Sequence, residues 1–364
     1  MHGSRPPVSR RRRAGYALAA VTIAVSVPLL TLLAVDVYLH GKFEKSAGFN
    51  VWGYRGPAAG RKLGDEYRVA VLGGSSAYGY GTNWDEAVPA VLEQRLAGST
   101  AGRFRRFRVV NLGYNNEGAY SFKPTLQDYR SLKYDLACLY EGYNDLIGDS
   151  AAPNVAVFRH DSPVFRLTGY LPIFPIVFKE KAAALAHGDA GALYRDPDKT
   201  VFKAGVAARA AAGVLDATAS IGQSLERQLG RMAAEPAHRV EIDQSTGCRT
   251  PWQQYCRSMQ QAVEYALRTG AQVIVATQPY EVVSPYVHQR HVDQQAEMAA
   301  MLDRHFGHDP RVVYVNLGSL VDLHDPSLSF DQMHLTPAGN ARIAAALVEP
   351  VLKLATLRTP AVAP

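Results

Sequence analysis

The stretch Arg68-Val-Ala-Val71-Leu-Gly73-Gly74-Ser75-Ser76-Ala77-Tyr78-Gly79 runs an unbroken apolar segment into a glycine-rich turn. Side chains that are apolar at successive positions, rather than at alternate ones, suit a strand buried on both faces. Four further runs have the same character: Arg108–Leu112, Asp135–Tyr140, Gln272–Thr277 and Arg311–Leu317. Segments with helical spacing, such as Trp84–Leu96 and Trp252–Arg268, lie between them. Strands alternating with helices predict an α/β fold with a parallel sheet of about five strands, covered on both faces. Ligands of such sheets sit beyond the carboxyl ends of the strands, where Ser75 falls.

The chain has 364 residues, 47% hydrophobic and 20% charged. That is ordinary globular composition, enough for about two domains at most, and it excludes a disordered or collagen-like chain. The formal charge is +6, but Arg5, Arg10, Arg11, Arg12 and Arg13 lie in the first thirteen residues, which contain no acid, leaving +1 downstream. A nucleic-acid binder carries its basic excess on the folded part, so no nucleic-acid partner is expected.

Ala14 to Val35 contains no charged residue. As a helix at 1.5 Å per residue it is roughly 33 Å long, enough to cross the hydrocarbon core. A cleaved signal peptide has a shorter apolar region of about 7 to 15 residues, so the run reads as an uncleaved signal anchor, with a cleaved leader as the alternative. Arginines before the span keep the amino terminus in the cytoplasm and send the rest across the membrane, into the periplasm if the cell is Gram-negative. The expected plan is a basic tail (1–13), a membrane anchor (14–36), a Gly-, Lys- and Ala-rich stalk (37–66), a main domain (67–354) and a short tail (355–364). About a hundred residues, 150–245, form an insertion too long for an ordinary crossover. Its aromatic run Phe165–Phe178 reads as core packing before it reads as a lid or membrane contact. Cys248 and Cys256 have too few ligands nearby for zinc and suit a local disulfide in an oxidising compartment, while Cys138 reads as a buried small hydrophobe.

Three motifs carry possible chemistry. The turn after the first strand lacks the Gly-Lys-Ser/Thr of a phosphate loop, and Gly79 and Gly81 do not complete a dinucleotide fingerprint. What remains is Ser75, a nucleophile if a base removes its proton, or else a helix cap. Asp331-Gln-Met-His334 follows the fifth run and offers a base with a carboxylate to orient it, or else a surface turn. Tyr140-Glu141-Gly142-Tyr143-Asn144-Asp145 ends the third run, where Asn144 can donate to a developing negative oxygen, or else form a turn. All three lie at strand ends on one rim.

In these blocks the sequence resembles the SGNH hydrolases, also called GDSL esterases or lipases. Gly73-Gly74-Ser75 resembles the first block, Val109-Val-Asn111-Leu-Gly113-Tyr-Asn-Asn116-Glu-Gly118 the second, Gly142-Tyr-Asn144-Asp145 the third and Asp331-x-x-His334 the last. The resemblance spans about Tyr67 to Leu354 and implies a three-layer α/β/α, flavodoxin-like fold with acyl-ester chemistry and no cofactor or metal. It implies Ser75 as nucleophile, His334 as base, Asp331 as triad acid and Asn144 as oxyanion donor, with Gly113 and Asn116 in the second block's part of the oxyanion or substrate site. There are two departures. Gly74 stands in place of the aspartate of the family's name, and Asn116 stands where the family has a glycine whose N–H binds the oxyanion. His288-x-x-His291-x-Asp293 has helix-compatible spacing for a metal, but surface or structural histidines are the expectation. The function expected is a membrane-anchored serine esterase or deacylase acting on small-molecule, glycan or lipid esters. An O-acyltransferase with the same triad and a non-catalytic glycan-binding or assembly protein are the alternatives.

Overall fold

A computed structural model of the chain describes residues 10–44, 48–115, 117–146, 159, 162–175, 177 and 241–358. Five strands form one parallel sheet: β1 Glu66–Leu72, β2 Arg106–Asn111, β3 Leu136–Glu141, β4 Gln272–Thr277 and β5 Val312–Val315, in the order β2-β1-β3-β4-β5. Every residue of β1, β3 and β4 is buried, as their unbroken apolar sequences require, whereas edge strand β5 is half-buried. Each fully buried Val or Leu here contributes about 1.5 to 3 kcal/mol relative to exposure.

The helices among the described residues are α1 Arg10–Lys42, α2 Ser75–Tyr78, α3 Val88–Leu96, α4 Phe122–Asp128, α5 Pro163–Thr168, α6 Gln253–Arg268, α7 Pro285–Phe306 and α8 Pro337–Leu357. α3 packs on α8, α4 on α6, and α6 on α7. With right-handed crossovers, this strand order puts α3 and α8 on one face of the sheet and α4, α6 and α7 on the other. The result is the three-layer α/β/α arrangement. The chain leaves β1 in one direction to reach β2 and later enters β3 on the opposite side. The crevice between the carboxyl ends of β1 and β3 is therefore the topological switch point, where open sheets bind ligands.

α1 is long and apolar enough to cross a membrane, and none of its most apolar stretch is buried against the domain. It continues past the expected boundary at residue 36 as far as Lys42. The stalk expected over 37–66 is corrected by the packing. Phe49, Tyr54 and Arg55 are buried, and Arg55 pairs in an antiparallel bridge with Asn111 at the end of β2. Glycine-rich composition reads as spacer, yet Gly53 and Gly56 take the left-handed conformation that folds this stretch back on the domain.

Most of the expected insertion, including the alanine-rich 204–234 segment, lies outside the described residues. Within its aromatic run, Phe165, Leu171, Ile173 and Val177 are buried in the main core. Cys248 and Cys256 form a disulfide that pins the loop before α6 to that helix, and Cys138 is buried in β3.

Candidate active site

Ser75 is the first residue of α2, presented by the two-glycine turn that ends β1. Both glycines are needed for close approach. A Cβ on Gly73 would lie 2.1 Å from the carbonyl oxygen of Tyr140, and one on Gly74 would lie 2.0 Å from Nδ2 of Asn144. The Asn144 amide lies against the bare Cα of Gly74, so here this position leaves no room for a side chain. At the other end of α2, Gly79 adopts the left-handed conformation and its N–H bonds the carbonyl of Ser75 at 2.9 Å. The guanidinium of Arg55 donates to the carbonyls of Tyr78, Gly79 (2.8 Å) and Thr82 (2.7 Å), satisfying the carbonyls that so short a helix leaves open.

Asp331 and His334 lie in a tight loop closed by a bridge between Ser329 and Leu335, with Gln332 in the left-handed region. Asp331 Oδ1 accepts the backbone N–H groups of His334 (2.6 Å) and Met333 (3.1 Å), while Oδ2 lies 2.6 Å from His334 Nδ1. The other ring nitrogen, Nε2, lies 2.9 Å from Ser75 Oγ. Burial alone would raise the Asp331 carboxyl, but the charge and hydrogen bond of His334, joined by the two backbone donors, hold it below the usual carboxylate range. His334 is itself buried. Tyr80 lies against one side of its ring at 4.4 Å between centroids, and Phe330 stacks on it at 5.9 Å. Gly81 makes room for Phe330, since a Cβ there would sit 2.2 Å from the Phe330 ring.

Asn144 follows β3 and faces the Gly73-Gly74 turn. Its Nδ2 donates to the carbonyl of Glu117 at 3.0 Å and makes only a long contact, 3.4 Å, with Glu141 Oε1. Glu141 is buried and accepts three backbone donors: Gly74 at 2.6 Å, Gly142 at 3.0 Å and Asn144 at 3.2 Å. Burial, and after it the nearby Asp145 charge, pushes the Glu141 carboxyl up. Asp145, also raised by burial, accepts the N–H of Ala119 at 2.9 Å and so joins the second and third blocks.

Ser75, His334, Asp331 and Asn144, expected from sequence, therefore meet at the carboxyl edge of the sheet. Gly113 does not join them as a donor. Its N–H is held by Asn111 Oδ1 at 3.0 Å, and its missing side chain lets α2 pack close, a Cβ there falling 2.7 Å from Tyr78 N. Asn116 lies outside the described residues. His291 is buried, accepting the N–H of Glu281 on Nδ1 (3.1 Å), and His288 Nδ1 lies 2.9 Å from the carbonyl of Glu281. Among the described residues no cluster of three or more His, Cys, Asp or Glu is arranged to hold a metal.

Sequence reasoning missed Arg55, Glu141, Tyr80 and Phe330. Glu141 alone carried a usable signal, a carboxylate inside an otherwise apolar strand end. A carboxyl buried there needs donors around it.

The three-layer fold and the order of the blocks resemble those of the SGNH hydrolases. No protein-family model matches the chain, and no curated protein does. Among solved structures, 46 chains match. A protein assigned to the G-D-S-L lipolytic family from Desulfitobacterium hafniense DCB-2 is 12% identical, at a TM-score of 0.41 over 78% of this chain and 98% of its own. The lipase Lip_vut3 from a goat rumen metagenome is 8% identical, with a TM-score of 0.40 over 77% of this chain and 95% of its own. A catalytic mutant of Axe2, an acetylxylan esterase from Geobacillus stearothermophilus, is 11% identical, with a TM-score of 0.40 over 80% and 96%. Likeness at this level carries no weight for substrate or mechanism.

Proposed function

We propose that this chain is a membrane-anchored serine ester hydrolase of the SGNH type, working outside the cytoplasm on O-acylated glycans or lipids. The observation that carries the reading is the hydrogen-bonded line from Ser75 Oγ to His334 Nε2, 2.9 Å, and from His334 Nδ1 to Asp331 Oδ2, 2.6 Å. In that line Nδ1–H donates to the carboxylate, leaving Nε2 as the acceptor for the serine proton.

Ser75 Oγ attacks the acyl carbon as Nε2 takes its proton, and the carbonyl π electrons move to oxygen. The N–H of Ser75, at the open amino end of α2, and the loosely held second N–H of Asn144 Nδ2 are the donors for that oxyanion. Collapse of the intermediate breaks the bond to the alcohol, which leaves with the proton from Nε2. Water then repeats the sequence on the acyl-enzyme, releasing the acid and restoring Ser75. Asp331, kept ionised, stabilises the imidazolium in each half-reaction. The export reading is supported by the arginines that precede the apolar stretch of α1 and by the Cys248–Cys256 disulfide, which suits an oxidising compartment.

The test is labelling of the full chain, purified in detergent, with a fluorophosphonate probe, followed by mapping of the adduct. Modification at Ser75 is expected. A folded protein left unlabelled, or labelled at another serine, overturns the assignment.

A further inference from the structure

α1 does not leave the domain on a loose tether. Near its carboxyl end the buried carboxylate of Asp36 accepts the hydroxyl of Tyr170 (2.5 Å) and the backbone N–H groups of Ile173 (2.7 Å) and Phe174 (2.6 Å). One turn later, both ring nitrogens of His40 face carbonyls, Nδ1 that of Phe49 and Nε2 that of Leu171, each at 3.0 Å. Leu171 in turn donates its N–H to Val51 at 2.8 Å. Anchor helix, residues 49–54 and residues 162–174 are thus one joint.

The joint has a height. A hydrocarbon core of about 30 Å takes about 20 helical residues. Counted from Ala14, directly after the arginines, the core is crossed by roughly residue 33, so Asp36 and His40 fall in the headgroup layer of the far leaflet. The surface tied to them there is apolar and basic. Leu167 and Val164 of α5 are 86% and 44% exposed, and Trp52 is 46% exposed. Arg61, Lys133 and Arg166 are exposed, and none of the three is ion-paired among the described residues. Trp52, Gly169, Arg61 and Lys133 line a single cavity of about 540 Å³, so Trp52 and these two cations belong to one surface, and Arg166 follows Phe165, which lines the same cavity.

We infer that the face formed by Trp52, Val164 and Leu167, with Arg61, Lys133 and Arg166 around them, rests on the outer leaflet. The apolar side chains enter the acyl boundary and the cations meet lipid phosphates. Continuity with α1 identifies the occupant as the bilayer. The inference rests on the proposed reading of α1 as a membrane span. It makes the domain a body docked on the membrane at a fixed height, not one that swings on a stalk.

The test uses full-length protein in vesicles of phosphatidylcholine and phosphatidylglycerol, carrying an environment-sensitive nitrobenzoxadiazole label on Leu167→Cys. Phospholipid bearing a nitroxide near the headgroup end of its chain is expected to quench this label at least twofold. A label on Leu320→Cys, exposed beyond β5 at the far edge of the sheet, should stay unquenched. A third label, on Leu29→Cys within α1, read with a nitroxide deep in the chain, reports the span by itself. Quenching at 29 with none at 167, or equal quenching at 167 and 320, overturns the docking face. No quenching at 29 overturns the anchor beneath it.

Discussion

Glu141 Oε2 accepts the N–H of Gly74 at 2.6 Å, and this single bond ties the turn bearing Ser75 to the turn bearing Asn144. The same carboxylate reaches Gly142 and Asn144 through its other oxygen. Ser75 and Asn144 are therefore set against each other through one buried side chain, whose only contact with the Asn144 amide nitrogen Nδ2 is the long 3.4 Å one.

Replacing Glu141 by Ala should lower kcat about 10- to 100-fold while changing KM little, because misplacing reacting groups by about an ångström costs that much. Steady-state kinetics on a short acyl ester, with circular dichroism to establish folding, check it. A folded E141A enzyme with wild-type kcat would remove Glu141 from positioning.

Ser75→Ala and His334→Ala should each lower ester hydrolysis by about a thousandfold or more, and the double variant should be little worse than either, because nucleophile and base act as one unit. Multiplicative losses in the double variant would show that they do not.

Gly74→Asp introduces the aspartate that the GDSL hydrolases, which this turn resembles, carry before the serine, and here it should be damaging. Its Cβ falls 2.0 Å from Asn144 Nδ2 and 3.0 Å from Glu141 Oε2, and its charge adds to a buried carboxylate. The expected outcome is loss of turnover together with a lowered melting temperature, measured by activity assay and calorimetry. A fully active G74D enzyme would contradict the packing described for the turn.

Asp331 is held below its ordinary value of 3.8, so the stability it contributes is present above pH 3.8 and is lost as pH falls through the lower folded value. The melting-temperature advantage of the wild type over Asp331→Asn should thus be full at pH 7 and pH 5 and shrink below pH 3.8. A difference that stays constant down to pH 2 would argue against the ion pair with His334.

Burial pushes the Cys138 thiol up to about 12. In the folded protein it should resist iodoacetamide, and Cys248 and Cys256 should become reactive only after reduction. Mass spectrometry of alkylated peptides, before and after dithiothreitol, reads all three.

The sheet was legible because its strands are buried on both faces. The runs expected at Arg68–Leu72 and Gln272–Thr277 fall inside or on β1 and β4, since short, largely β-branched apolar runs bounded by turn residues suit a doubly covered strand. Ser75, Asn144, Asp331 and His334 could be picked out as candidates because the proposed chemistry needs those residue types at strand ends, and the structure brings the four together. What sequence could not convey is contact across long separations. Arg55 sits in a Gly-rich stretch that reads as spacer, and only the fold shows its guanidinium closing the helix of Ser75. Gly113 matched a block by type, yet its N–H is consumed by Asn111 two residues earlier, a local bond that no spacing rule reveals.

Tyr80 and Phe330 both pack on the His334 ring, so in the proposed reaction the imidazole keeps one orientation through both half-reactions and only its proton travels. The departing alcohol and the incoming acceptor must then use the same spot beside Nε2, one after the other. An alcohol slow to leave competes with water, and a hydroxyl docked there receives the acyl group in water's place. On the proposed mechanism, hydrolysis and acyl transfer become a question of residence time at that spot, decided by whatever walls it, with Ser75, His334 and Asp331 serving either outcome.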